Sequence, residues 1–104
     1  MSTTHIGWDQ FHDATLVALT AEWASGVTRV RVRLSTEPGR EAEIQVSAST
    51  LIHCPRQHPW GPSVSINEVR VSPLGEGQKR IEIEVQSGDV IELQGEAVEV
   101  ILVG

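Results

Sequence analysis

The sequence predicts an all-β fold, a single-domain antiparallel β-sandwich or barrel of about 7–8 strands. Three observations predict it. Apolar and polar residues alternate over most of the chain, turns rich in Gly and Pro separate the runs, and helical spacing is confined to residues 8–24. With 104 residues the chain suits one β domain over 1–104, long enough for one core and too short for two. Aromatics are scarce, with three Trp, one Phe and no Tyr, so that core must be aliphatic.

The clearest strand is "VTRVRVRLS", where Val30, Val32 and Leu34 alternate with Arg29, Arg31 and Arg33. "AEIQVSAST" repeats the pattern with Ile44, Val46 and Ala48 on one face, and "EPGRE" supplies the turn between them through Pro38 and Gly39. In "SVSINEVRVS", Val64 and Ile66 share one face while Val69 and Val71 fall out of step. A bulge near Asn67 and Glu68 accounts for that change. "PLGEGQ" is a turn, "KRIEIEVQ" alternates with Ile81, Ile83 and Val85 inward, and "SGD" turns the chain into "VIEL" and "EAVEVILV". In the last run Val98, Val100 and Leu102 form one row, yet Ile101 and Val103 make the other face partly apolar, as in a strand covered on both sides or lying at an interface.

The segment "WDQFHDATLVALTAEWASG" is ambiguous. Trp8, His12, Leu16, Leu19 and Trp23 fit a short N-terminal helix, with Gly26 after its C-terminus. A strand would instead put Val17, Leu19, Ala21 and Trp23 on one face, with "ASG" turning into the arginine strand. The β-rich remainder favours the strand. Either way Trp8 and Trp23 are expected to pack against one end of the core.

A net charge of −6 argues against a nucleic-acid binder, which carries a basic footprint, and would speed encounter with a basic protein. The single Cys54 excludes an internal disulfide framework and fits a reducing cytoplasm. No signal peptide is visible, and the longest apolar run, Val100 to Val103, is too short to span a bilayer. A cytoplasmic protein without membrane partners is the expectation.

The arginine stripe Arg29, Arg31, Arg33 could grip phosphate or carboxylate, because forked guanidinium donors suit planar anions. Cross-strand pairing with Glu43, Glu82, Glu84 or Glu92 explains it without a ligand, at about 0.2–1 kcal/mol per pair. His5, His12, His53, Cys54, His58 and Asp13 hold the residue types of a zinc site. No CxxC or HxxxH pair delivers them, and Pro55 and Pro59 stiffen the segment, so no metal or other cofactor is expected. Cys54 or Ser63 with His12 or His58 and Asp13 supplies the types for acyl transfer, but no GxSxG elbow is present. A buried His12–Asp13 pair fixing the chain's entry into a strand is the simpler expectation.

The loop "CPRQHPWGPS" is stiffened by Pro55, Pro59 and Pro62, which also hold their preceding residues out of helix. Trp60 within it has two readings, a lid folded over the aliphatic core or an anchor for a partner. His58, Ser63, His12 and Asp13 complete the candidate binding set around it.

Trp8 with "FHDATL", then "PWGPS" and "IEIEVQSGD", resembles a group of small uncharacterised bacterial proteins, similar to some all-β families assigned as immunity proteins of polymorphic toxin systems. The resemblance covers three islands, about a third of the chain. It implies a β-rich fold and a protein-blocking role, and it carries over no catalytic residues. The leading expectation is thus a non-enzymatic binding protein that masks a basic partner such as a toxin domain. Two alternatives stand beside it: a small metal-binding protein or hydrolase using His12, Asp13, Cys54 and His58, and a self-associating subunit, such as a homodimer, built on Val98 to Val103.

Overall fold

The computed structural model describes residues 8–35, 40–57 and 64–103. His5 and the candidate residues His58, Trp60 and Ser63 lie outside them. A 3-10 turn, Trp8–Phe11, precedes eight strands: β1 Thr15–Glu22, β2 Val27–Arg33, β3 Glu41–Ser47, β4 Leu51–His53, β5 Val64–Gly75, β6 Gln78–Val85, β7 Val90–Gly95 and β8 Ala97–Val103. All pair antiparallel in one sheet of order β4-β7-β6-β5-β1-β2-β3-β8. The all-β expectation is met.

The sheet folds around one core because alternate residues of both halves face inward. Val30 and Val32 of β2 and Ala42, Ile44 and Val46 of β3 meet Ile81, Ile83 and Val85 of β6 and Ile91 and Leu93 of β7, all fully buried. Each such aliphatic side chain contributes roughly 1.5–3 kcal/mol relative to exposure. Phe11 is the one aromatic in this buried set, and Trp8 stacks on it with ring centroids 5.6 Å apart. Thr28, also buried, satisfies its hydroxyl by donating to Ser49 Oγ at 2.9 Å.

Two strands turn the corner between the halves together. β3 runs into β4 through Ala48, Ser49 and Thr50, while β7 runs into β8 through Glu96 alone. The backbone ladder continues across the bend, with Thr50 N–H donating to Gln94 O and Glu96 N–H to Ser47 O. Ala48 adopts φ 49° there, the left-handed conformation that a sharp change of strand direction requires.

Residues 8–24 hold the expected strand after a single 3-10 turn, and the alternative helix running on to Trp23 is not met. The helical spacing of Leu16 and Leu19 arises from a bulge: Leu16 pairs with Val32 but Ala18 with Arg31, so Val17 is the extra residue. It points out, 44% exposed, and both leucines pack on the core. The expected face of Val17, Leu19, Ala21 and Trp23 is therefore corrected, since the bulge resets the alternation after Leu16. Trp23 is corrected too: it sits on the β1–β2 turn at 92% exposure, whereas Trp8 packs as expected. The bulge read near Asn67 is present, with Ile66 paired to Val85 and Glu68 to Glu84. The "PLGEGQ" turn is shorter than expected, because β5 continues through Pro73 to Gly75 with a second irregularity at Leu74.

Candidate functional site

His12 and Asp13 are held where the 3-10 turn meets β5. Asp13 takes φ 65°, its N–H donates to Ile66 O at 2.8 Å, and Ile66 N–H returns a bond to Ala14 O. This clamp seats His12 beside the bulge, and its Nδ1–H donates to Asn67 O at 2.8 Å, since a carbonyl only accepts. Nε2 then stands 3.6 Å from Asp13 Oδ2. The expected burial of the pair is corrected: the side chains are 65% and 57% exposed, so the pair is a surface feature. Its neighbour is an open cleft of about 460 Å³ lined by Trp8, His12, Asn67, Glu68, Val69 and Glu84. Among the described residues that line it, no side chain carries a hydroxyl or a thiol.

Cys54 is not brought to that pair. It follows β4, whereas His12 is held on β5, and β7 and β6 intervene in the sheet. Three strand spacings amount to about 14 Å along the sheet. Cys54 is exposed, and the partial burial of its thiol pushes its ionisation up from the ordinary value, with Arg56 opposing and Asp89 adding. Among the described residues no group of three or more His, Cys, Asp or Glu side chains is arranged to hold a metal ion.

The arginine stripe is paired on the outer face of β2. Arg29 reaches Glu22 at 2.9 Å and Glu43 at 3.6 Å, Arg31 reaches Glu41 and Glu43, and Arg33 reaches Glu41. Of the expected partners only Glu43 takes part. Glu82 and Glu84 face Arg70, and Glu92 faces Arg80.

A second surface, at the corner, was not anticipated. The β1–β2 hairpin closes through Trp23, Ala24, Ser25 and Gly26, with Gly26 N–H donating to Glu22 O and Gly26 at φ 71°. Gly26 O in turn accepts from Ser49 N–H, which binds the hairpin end to the bend. Between them lies a cleft of about 300 Å³ lined by Trp23, Thr28, Ser49, Leu51 and Ile52 among others. Leu51 and Ile52 are exposed on β4, which pairs on one side only among the described strands. At the rim, Ser25 Oγ–H and the Arg29 guanidinium hold Glu22 below its ordinary carboxylate value, so it stays charged. Two signals in the sequence pointed here. Trp23 directly precedes its turn glycine's segment, and Leu51 next to Ile52 breaks the alternation, so one of them has to face out.

No helix among the described residues is long and apolar enough to cross a membrane. No family model, no curated protein and no solved structure matches this chain.

Proposed function

We propose that the protein is a non-enzymatic binding module that docks a basic protein partner at the corner cleft, in the manner of an immunity protein masking a toxin domain. The observation that carries this reading is Trp23, a large apolar side chain 92% exposed beside a cleft that Leu51 and Ile52 make apolar. An isolated exposed aliphatic residue is ordinary, but a tryptophan on a rigid turn next to further apolar surface has the composition of an interface hot spot. The net charge of −6 supports a basic partner through long-range attraction, which raises association rates and fades with salt. A lone thiol suits a reducing cytoplasm, where such a blocker would act on a toxin made in or delivered to the cell.

The test looks beside this gene for a basic toxin-like protein and uses such a protein as the binding probe. Trp23→Ala should weaken its capture by roughly thirtyfold, the effect of a hot spot worth about 2 kcal/mol. Circular dichroism should show an unchanged fold, because Trp23 supports no core contact. Equal capture by wild type and Trp23→Ala would remove the corner cleft from the reading, and absence of any such neighbour or of binding would remove the blocking role.

A further inference from the structure

We propose that the protein forms a two-fold homodimer in which β8 pairs antiparallel with β8 of a second copy, centred on Ile101. β8 pairs with β3 along its whole length and with no other strand on its far side among the described residues. The consequence is visible in burial. Ala42, Ile44 and Val46 of the interior strand β3 are 0% exposed, yet Val98, Val100 and Leu102, which pack on the same core from β8, stay half-buried. On the opposite face Ile101 is 39% exposed and Val103 is half-buried.

Open edges in monomers are guarded by lysine, proline, brevity or inward charge. Among the described edges β4 has three residues, whereas β8 has seven, without Lys, Arg or Pro and with Glu99 as its sole charge. A second copy fits because the strand is self-complementary about Ile101. With the axis through Ile101, that residue faces its own copy, Val100 faces Leu102, and Glu99 faces Val103. An axis through Glu99 would place two carboxylates directly opposite, which is destabilising. A centre nearer Ala97 meets β6, whose start lies beside the end of β7 and the beginning of β8. Among axes through the outward-facing residues Ala97, Glu99, Ile101 and Val103, charge and space favour Ile101, and the pairing is isologous, so it closes at two copies.

Sedimentation velocity over a concentration series should show a monomer–dimer equilibrium. Because each copy carries −6, added sodium chloride should tighten the dimer, the opposite of its effect on a basic partner. Ile101→Lys should weaken self-association by on the order of tenfold or more, without lowering the melting temperature at concentrations where the wild type is monomeric. In a Cys54→Ser background, Ile101→Cys should form an intermolecular disulfide under mild oxidation faster than Glu99→Cys, since facing Cβ atoms on the axis lie about 4.5–5.5 Å apart. A strict monomer at the highest soluble concentration, a wild-type dimer constant for Ile101→Lys, or faster crosslinking through position 99 would each overturn the proposal.

Discussion

Gly95 lies so close to Val46 that a Cβ built on it would meet Val46 Cγ1 at 2.5 Å, and Ser47 O at 2.6 Å. The glycine ends β7 one residue before the corner, where β3 bends beneath it. Its missing side chain is what lets the two bending strands approach. Val46 is itself fully buried, so neither partner has room to withdraw. Gly95→Ala should therefore lower stability by about 1–3 kcal/mol, as overpacking does. Urea unfolding of the variant measures it, and an unchanged midpoint would show that the corner relaxes without strain.

The β5–β6 hairpin turns on Glu76 and Gly77, which link the paired Gly75 and Gln78 with φ 53° and 78°. Positive φ at both loop positions is the type I′ geometry, which suits Asn-Gly and burdens a glutamate. Glu76→Asn should raise stability by about 0.5–1 kcal/mol, and Glu76→Val should lower it by about 1–2 kcal/mol. The two denaturation midpoints moving in the same direction would contradict the turn assignment.

Burial holds the Cys54 proton above the ordinary thiol value of 9.0. The sign follows from linkage: the unfolded thiol ionises first, so the stabilisation is complete below its pKa and is lost as pH rises through the folded value. Alkylation by iodoacetamide should be slower than that of a free thiol at neutral pH, with its pH midpoint displaced upward. Cys54→Ser should flatten part of the loss of stability in alkali. A midpoint at or below that of free cysteine would show a reactive thiolate instead.

Much of this architecture was legible because period-two patterning is a direct image of which side chains reach the core. Val30, Val32, Ile81, Ile83 and Val85 are buried as the alternation required. The illegible parts share one cause, local loss of that period. Val17 as an extra residue gives Leu16 and Leu19 a helical spacing inside a strand, and nothing between Thr15 and Glu22 marks the bulge. β4 is three residues long, too brief to show a pattern, and its pairing with β7 depends on the corner. The candidate site fared less well for the same physical reason. His12 and Asp13 are adjacent in sequence and meet in space, but exposure depends on the packing around them, which residue types do not encode. Both patterns open to residues 8–24 set Trp23 in the apolar row, whereas the geometry of a four-residue loop puts it in water. Trp60, the leading anchor in the sequence, lies outside the described residues.

The shared corner also governs how the molecule is assembled. β5 and β6 are joined by a two-residue loop, so they can zip within microseconds, but β3 finds its second neighbour only in β8, joining Glu41 to Val103. On the ribosome, β3 emerges long before that neighbour and carries an unsatisfied edge throughout the interval. Ala42, Ile44 and Val46 then stay uncovered on the chain being synthesised until the strands that bury them have emerged.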